Sequence, residues 1–419
     1  MGSRERIIFH IDVNSAFLSF EAVYRLQHGA DIDLREIPSA VAGSQATRHG
    51  IILAKSIPTK KYGVKTGEAI WQAKQKCPNL VIIPPNYRLY MCCHHALVEL
   101  LREYSDKVQI FSIDECFMDM TGMKILGEPL AVANQIREQI KRELGFTVSV
   151  GISSNKLLAK MGSELKKPDA VSTLYPSEIQ EKMWGLPIEK LYMVGPATAP
   201  KLHKMGIYTI EDLARCDIEL LKYKFKSWGI MLWNYANGIE DSIVTGSSRS
   251  VIKGIGNSTT IHFDVEDKET AYMVLLSLVE TIGMRLRYAG LSCRVISVSI
   301  KRADDLTSYS HQMKIQTPTD CTNAIYEYCK RLFDESWKGE PIRHLGVRVS
   351  ELSTSDCVQL SMFEKDWEKQ KKIDKVVDQL RMRFGPDYII RSSFLWTRLA
   401  PLEGGLSEDS AYPVMTSIL

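Results

Sequence analysis

Two adjacent acids stand in an otherwise apolar, strand-like stretch of the chain. Asp114 and Glu115 lie within FSIDECFMDM, residues 111–120, and a third acid, Asp12, lies near the end of the strand-like run RIIFHIDV, residues 6–13. Charges among core-type residues are costly unless something pairs with them. Carboxylates from separate strands suit Mg²⁺, and two such ions can clamp an in-line phosphoryl transfer. The alternative is that the adjacent acids are ordinary hairpin turn residues.

The predicted elements around these acids favour the metal hypothesis. They run strand, helix, strand, strand, helix, strand, with an insertion after the first helix, which is typical of a ferredoxin-like α+β core. In such a core the first strand lies beside the hairpin strands, so Asp12 is expected to meet Asp114 and Glu115 at one sheet edge. Asn14 or Ser15 is predicted to cap the first helix.

Composition sets broad limits on the class of protein. The chain has 419 residues, enough for several domains, and a formal net charge of +3, which neither demands nor excludes nucleic acid. The sequence contains neither an apolar run of membrane-spanning length nor a hydrophobic signal core, so we expect a cytoplasmic protein without a membrane partner. Nine cysteines without a CxxC pair indicate reduced thiols. The run Cys92-Cys93-His94-His95 is a poor zinc site, because consecutive helical residues point in different directions.

Three motifs together resemble one protein family. HIDVNSAFLSFE, SIDECFMDM and GISSNKLLAK occur in this order, and the chain resembles the Y-family translesion DNA polymerases of bacterial polymerase IV and V type over nearly its whole length. Asn14 resembles the V type, and the C-terminal part resembles versions from Gram-positive bacteria.

The resemblance implies a multidomain α+β architecture. It consists of a ferredoxin-like palm, small fingers, a helical helix-hairpin-helix thumb and a separate α+β little finger. The predicted boundaries are palm 1–25 and 84–171, fingers 26–83, thumb 172–243, linker 244–250, little finger 251–352 and tail 353–419 with one charged helix.

The resemblance also implies roles for the acids. Asp12, Asp114 and Glu115 match the catalytic carboxylates that bind two Mg²⁺ ions, for which Mn²⁺ can substitute, and the Val13 carbonyl would complete one site.

For the incoming dNTP, the resemblance implies that Phe17 is the steric gate that excludes a ribose 2′-OH; the alternative is a simple core residue. The other implied nucleotide contacts are Ser15, Ala16, Ile51, Leu53, Lys60 and Lys167. The sequence departs from the polymerase IV pattern at Ile57 and Lys60, where Tyr and Arg are usual, and Lys cannot make a bidentate contact.

Two segments are predicted to hold primer-template DNA. Residues 191–214 are interpreted as helix, Val194-Gly195-Pro196 turn and helix, whose backbone N–H groups can bind phosphate; the alternative is a plain connector. The thumb contacts would involve Gly195, Ala197 and Lys201. In the little finger the candidate phosphate contacts, each of which could equally be a bystander, are Lys253, Lys301, Arg302, Lys314, Arg343 and Arg348.

A short peptide is predicted to bind the bacterial sliding clamp. In QLSMF, Gln359 would fix orientation, while Leu360, Met362 and Phe363 would fill an apolar pocket. The alternative is that these apolar residues pack the tail helix onto the body. The V-type resemblance adds accessory mutagenesis proteins to the candidate partners.

Together these features predict an error-prone, template-directed DNA polymerase for translesion synthesis, without proofreading and associated with the nucleoid. Two rivals stay open. A catalytically silent, clamp-tethered DNA-binding scaffold would not need its acids, and a nucleotidyl cyclase would work without DNA.

Overall fold

The computed structural model describes residues 6–44, 48, 50–246, 252–354, 368–385, 388–395 and 399. The chain divides into two compact units. The first is built from residues up to 42 and from 52–249, and the second from 43–51 and 250–411. Within the described residues, every helix is too short or too polar to cross a membrane.

The first unit contains two sheets and eleven α-helices among its described residues. Its strands are β1 (Ile8–Val13), β2 (Ser39–Ala42), β3 (Ile52–Lys55), β4 (Val81–Ile83), β5 (Val108–Ile110), β6 (Glu115–Asp119), β7 (Val148–Ser153) and β8 (Val171–Thr173). Its helices are α1 (Ala16–Gln27), α2 (Ile57–Lys60), α3 (Ile70–Lys76), α4 (Tyr87–Arg102), α5 (Pro129–Leu144), α6 (Lys156–Leu165), α7 (Ile179–Lys182), α8 (Ala199–His203), α9 (Ile210–Ala214), α10 (Ile218–Phe225) and α11 (Ser227–Ala236). Short 3₁₀ helices cover Lys124–Leu126, Pro176–Glu178 and Ile188–Lys190.

The larger sheet confirms the ferredoxin-like prediction. Its order is β5-β6-β1-β7-β8, and β1 is antiparallel to both β6 and β7. Every residue of β1 is buried, because α4 and α5 share a core with one face and α6 packs on the other. The added strand β8 pairs parallel with β7 and extends the sheet to Thr173, two residues past the predicted palm boundary.

Helix α6 approaches the sheet most closely at a glycine. A Cβ on Gly151 of β7 would lie 1.9 Å from the Ala159 carbonyl oxygen and 2.4 Å from the Ser163 nitrogen. Both atoms belong to the α6 backbone, so neither can rotate away. The close approach brings the polar side chains of α6 against the sheet.

We therefore expect Gly151→Ala to destabilise the first unit by roughly 3 kcal/mol, at the upper end of overpacking costs. The matched control is Gly162→Ala on α6, where the nearest atoms to the new Cβ lie at 3.5 Å. That change should be neutral or stabilising, because alanine favours helix over glycine. Urea unfolding of both variants tests this, and equal stabilities would show that α6 can shift away without cost.

The insertion after α1 forms the smaller sheet, of order β3-β2-β4. Its apolar residues, with Ile52 and Val64 among them, pack on α3 as a separate small core. Ser56 caps α2 by accepting a hydrogen bond from the Thr59 backbone nitrogen. A short capped helix at the end of β3 turns the chain sharply and exposes its basic residues.

The helical segment after β8 differs from the prediction in one detail. The predicted helix beginning at 191 is wrong, because the helical turn there is the 3₁₀ helix Ile188–Lys190, which ends before Leu191, where the chain is extended. The turn through Gly195 leads into α8 instead, and α8 has only five residues. Pro196 and Pro200 restrict the backbone on both sides of α8's start.

The second compact unit also combines a β-sheet with α-helices. Its strands are β9 (Gly254–Val265), β10 (Leu291–Arg302), β11 (Ser308–Thr319), β12 (Ile342–Ser350) and β13 (Ser353–Thr354), and its helices are α12 (Lys268–Tyr288), α13 (Thr322–Ser336) and α14 (Glu368–Phe384), with a 3₁₀ helix at Ser392–Phe394. The main sheet has the order β11-β10-β12-β9. Helices α12 and α13 cover one face of it, and among the described residues no helix packs on the other face, the open face.

Helix α14, which the sequence suggested was part of a tail, packs on α12 and α13. Two buried arginines attach it to the second unit. Arg287 of α12 pairs with Asp374 at 3.3 Å and with Asp378 at 2.5 Å. Arg381 of α14 pairs with Glu280 of α12 at 2.7 Å. Helix α14 is therefore part of this unit.

We expect Glu280→Gln to destabilise the second unit by about 3 kcal/mol at neutral pH, because it leaves Arg381 buried without its partner. Burial opposes ionisation, but Arg391 and Arg381 hold the pKa of Glu280 below its usual value of 4.5. The contribution is therefore complete above pH 4.5 and is lost as pH falls through the lower, folded-state pKa. Urea unfolding at pH 7 and in acid measures it. The control Glu327→Gln removes an exposed pair with Lys330 and should cost little; equal losses would contradict the assignment.

Candidate active site

The strand ends that carry the three predicted carboxylates lie together at one end of the larger sheet. Asp12 of β1 lies directly opposite Glu115 of β6 in the antiparallel register. The Val13 backbone nitrogen donates a hydrogen bond of 3.0 Å to the Asp114 carbonyl oxygen, which joins the end of β1 to the hairpin bend. The predicted convergence is thus observed in the fold.

Each carboxylate has a separate polar partner. The Lys167 ammonium lies 2.8 Å from Asp12 Oδ2, and the Lys160 ammonium lies 2.5 Å from Glu115 Oε2. The Ser112 hydroxyl donates to Asp114 Oδ1 at 2.5 Å. In this arrangement, no three ligand-type side chains of the described residues are grouped as a ready-made metal site.

Burial makes these carboxyls costly to ionise without a cation. It raises the pKa of Asp12 to about 7, although Lys167 acts in the opposite direction. Burial likewise raises the pKa of Asp114. At Glu115 burial is outweighed by His10 and Lys160, which hold its pKa below the usual range. Buried oxygen donors that attract ammonium groups fit a hard divalent cation.

Sequence reasoning missed the residues behind Glu115. His10 is fully buried, with Nδ1 2.8 Å from the Ser163 hydroxyl and Nε2 3.4 Å from Glu115 Oε2. Burial lowers the pKa of His10 to about 4, so the ring is neutral at pH 7. Two patterns could have revealed these residues. His10 is two positions before Asp12 and so on the same strand face, and Lys160 and Ser163 share one side of α6.

The predicted gate lies at the start of α1, the helix that follows the strand carrying Asp12. Phe17 is half-buried and packs against the core of the larger sheet and against a cluster that includes Leu53 of β3. Ala16 is buried. The structure therefore brings the proposed gate and one proposed roof residue together.

Ser15 occupies the N-cap position of α1, as predicted, but without a side-chain cap. Ser15 adopts a left-handed conformation, with φ 50° and ψ 48°, and its side chain makes no capping bond. The Asn14 side chain is committed elsewhere, since it bonds to Thr147 at 3.1 Å and to Ser149 at 2.9 Å. These bonds hold the end of β1 against β7 and against the residue that precedes β7. They thereby help to position Asp12.

Two lysines of the insertion, Lys55 and Lys60, lie at the end of β3 and the end of α2. Lys60, at the end of α2, is exposed, and Ile51, just before β3, is 44% exposed. Lys55 was missed by sequence reasoning. It is half-buried and donates to Thr66 Oγ1 at 3.2 Å. Burial and the charge of Lys60 lower the pKa of Lys55, so this region favours an anion.

The thumb candidates lie on the surface. Gly195 and Ala197 are exposed in the turn before α8, and Lys201 is exposed on α8. The Gly195 carbonyl accepts hydrogen bonds from Thr198 and Ala199 at 2.9 and 3.0 Å. The turn is thus closed by its own backbone.

The second unit carries a polar groove of about 870 Å³ at the open sheet face, lined mainly by serine, glycine and amide side chains and by two arginines, Arg285 and Arg348. By strand alternation Lys301 lies on the same face as Ser297 and Ser299. Two candidates are already paired, Arg302 with Asp304 and Lys314 with Glu351. Lys253 is exposed before β9, and Arg343 is half-buried on β12.

The predicted clamp peptide, Gln359 to Phe363, lies outside the described residues.

The Cys92–His95 run lies on α4. Within it, His94 is buried and its Nδ1 lies 2.8 Å from the Ile113 carbonyl oxygen. It therefore supports the hairpin that carries the acids.

Family models and relatives match most of the chain. The model of the impB/mucB/samB family matches residues 11–164, that of its C-terminal domain 252–362, and that of the IMS family HHH motif 176–207. DNA polymerase IV of Clostridium acetobutylicum is 46% identical over 93% of this chain and 98% of that protein. DNA polymerase IV 2 of Bacillus subtilis is 37% identical over 94% and 95%.

A solved structure supports the fold. A Y-family DNA polymerase chimera of Dbh and Dpo4 aligns with a TM-score of 0.71 over 83% of this chain and all of that chain, at 22% identity. This likeness concerns architecture and confirms the predicted fold class.

Proposed function

Because this chain belongs to the impB/mucB/samB family of Y-family DNA polymerases, we propose that Asp12, Asp114 and Glu115 are its catalytic carboxylates. The enzyme is an error-prone, template-directed DNA polymerase that carries out translesion synthesis, and its family lacks proofreading. The observation that supports the assignment is the register of Asp12 opposite Glu115, with Asp114 bonded to the end of β1.

Polymerases of this family need divalent metal ions, and we propose two Mg²⁺, with Mn²⁺ as a substitute. Asp12, Asp114, Glu115 and the Val13 carbonyl would hold them. When bound, they would favour the primer alkoxide and stabilise charge on the pyrophosphate leaving group. The protein itself contributes the placement of the carboxylates. The strand register sets Asp12 opposite Glu115, and an ion pair with Lys160 holds the Glu115 side chain in position.

The incoming dNTP is proposed to lie between α1 and β3. Phe17 would face the sugar, while Ser15 and Ala16 would offer backbone at the start of α1. Leu53 and Ile51 would cover the base. Lys60 and Lys167 would neutralise triphosphate oxygens, which is consistent with Lys167 being the cation nearest Asp12.

Primer-template DNA is the proposed macromolecular substrate. The exposed turn at Gly195 and Ala197, followed by Lys201, would contact phosphates without reading bases. In the second unit, the open sheet face with Lys301 and Arg348 supports phosphate contact better than Arg302, which is paired. Lys253 and Arg343 remain candidates. We place the enzyme in the cytoplasm at the nucleoid.

Single-nucleotide insertion tests the proposal against its rivals. The wild-type enzyme with Mg²⁺ should add the complementary dNTP preferentially opposite each of the four template bases. A silent scaffold would add none. A cyclase would consume a nucleotide without DNA. The buried acids that pair with Lys160 and Lys167 argue against the scaffold, because a protein that only binds DNA would not need them.

The clamp peptide is a further proposal, with accessory mutagenesis proteins as additional candidate partners. Leu360→Ala with Phe363→Ala should abolish stimulation of primer extension by a bacterial sliding clamp, because the apolar anchors supply most of such binding. Extension without the clamp should be retained. Replacing Ser361, between the anchors, by Ala is the control. Undiminished stimulation in the double variant would contradict the proposal.

A further inference from the structure

The ring of Phe17 rests on a second aromatic ring. Phe17 and Tyr90 of α4 stack almost parallel, with centroids 4.5 Å apart and an interplanar angle of 9°. Tyr87 meets both rings edge-on, at 6.2 Å from Phe17 and 5.8 Å from Tyr90. The position of the Phe17 ring therefore follows the position of Tyr90.

Tyr90 is itself fixed by a buried polar contact. Its side chain is completely buried, and its hydroxyl donates a 3.0 Å hydrogen bond to Glu21 Oε1. Glu21 is 4% exposed, and its other oxygen lies 3.7 Å from Arg25. Burial raises the pKa of Tyr90 far above its usual value, so its hydroxyl stays a donor. Glu21 lies one turn after Phe17 on α1, so one helix carries both the gate and the acceptor that holds the ring beneath it.

Packing alone does not explain this pair. A phenylalanine at position 90 would fill the same core without a buried hydroxyl, and an apolar residue at position 21 would avoid the desolvation of a carboxylate. A hydrogen bond at this place, unlike apolar packing, fixes the ring in one position and orientation. A gate that excludes an atom as small as a hydroxyl oxygen needs such precision.

We propose that Tyr90 and Glu21 are positioning residues that set the height of the Phe17 ring and thereby determine how strongly ribonucleotides are excluded. This rests on the proposed role of Phe17 and adds two residues to it. Neither residue is placed in contact with nucleotide, so each acts through the gate. Loss of the hydrogen bond between Tyr90 and Glu21 would let the Phe17 ring move away from the sugar, which would admit a ribose 2′-OH.

The test is the ratio of kcat/KM for dNTP to that for the matching rNTP in single-nucleotide insertion. Tyr90→Phe keeps the ring and removes the hydroxyl, and Glu21→Met keeps the size and removes the acceptor. Each should lower the ratio roughly five- to tenfold, the size of one buried hydrogen bond. Glu21→Gln retains an acceptor oxygen, so this variant should keep most of the wild-type ratio. Combining Tyr90→Phe with Glu21→Met should lower it little further, because both remove the same contact.

The matched control is Tyr104→Phe, which removes a hydroxyl bonded to Gln139 elsewhere against the same core. It should leave the ratio at the wild-type value, and thermal unfolding confirms that all variants are folded. Ratios in Tyr90→Phe and Glu21→Met equal to that of Tyr104→Phe would overturn the inference while leaving the polymerase assignment intact. A folded wild-type enzyme that inserts no dNTP at all would overturn both.

Discussion

Replacing Asp114 and Glu115 together by alanine should abolish primer extension, with a loss of at least about 10³-fold in the rate of nucleotide insertion. Both carboxylates stand at the hairpin bend, where Glu115 lies opposite Asp12 and the Asp114 carbonyl is bonded to Val13. Without them a divalent cation would lose most of its ligands. Affinity for primer-template DNA should persist, because the proposed phosphate contacts lie elsewhere. Single-turnover insertion and a DNA-binding titration measure the two properties separately.

The matched control for this loss is Asp119→Ala. Asp119 lies on the same strand, β6, but at its far end, opposite Ile8, with Lys107 at 3.7 Å. Its removal should leave insertion close to the wild-type rate. Insertion by the double variant at the rate of the control would remove the carboxylates from the mechanism and favour a different site.

The second large effect is expected at the gate. Phe17→Ala should raise ribonucleotide insertion relative to deoxynucleotide insertion by roughly 100-fold, because a ring that overlaps a 2′-OH costs several kcal/mol. The ratio of kcat/KM values for one dNTP and its rNTP measures the change. Insertion of dNTP should fall less, since the deoxyribose makes no clash that the substitution relieves.

Tyr24→Ala provides the comparison on the same helix. Tyr24 is 40% exposed, and its ring lies against His28 at a tilt of 35°. Its loss should not alter sugar selectivity. If Phe17→Ala and Tyr24→Ala show the same selectivity as the wild-type enzyme, Phe17 is a core residue only, which is the alternative that the sequence left open.

The sequence was sufficient to predict the elements that carry the acids. Apolar runs ending in Asp12 and flanking Asp114 specify strands, and their order along the chain specifies which strands are neighbours. The βαββαβ order allows few arrangements, and in the observed one β1 lies beside β6. The convergence of Asp12 with Glu115 therefore follows from topology, before any side-chain contact is known.

The supporting residues could not be predicted in the same way. Lys160 reaches Glu115 because Gly151 lets α6 lie close against β7. A single glycine in a strand sequence does not predict that a helix packs on it. The sequence analysis placed α14 in the tail as a charged helix. Asp374 is in fact buried and Asp378 half-buried, and both pair with Arg287, about 90 residues earlier in the chain. Such long-range pairing has no local signal.

Manganese binding tests the central claim most directly. Electron paramagnetic resonance of Mn²⁺, with primer-template DNA ending in a dideoxynucleotide and the next correct dNTP, counts the ions held beyond those on nucleotide and DNA alone. The wild-type enzyme should order two ions per active site, and the Asp114→Ala, Glu115→Ala variant should order fewer while still binding DNA. Equal Mn²⁺ binding by the two proteins would contradict the assignment of these carboxylates as the metal ligands.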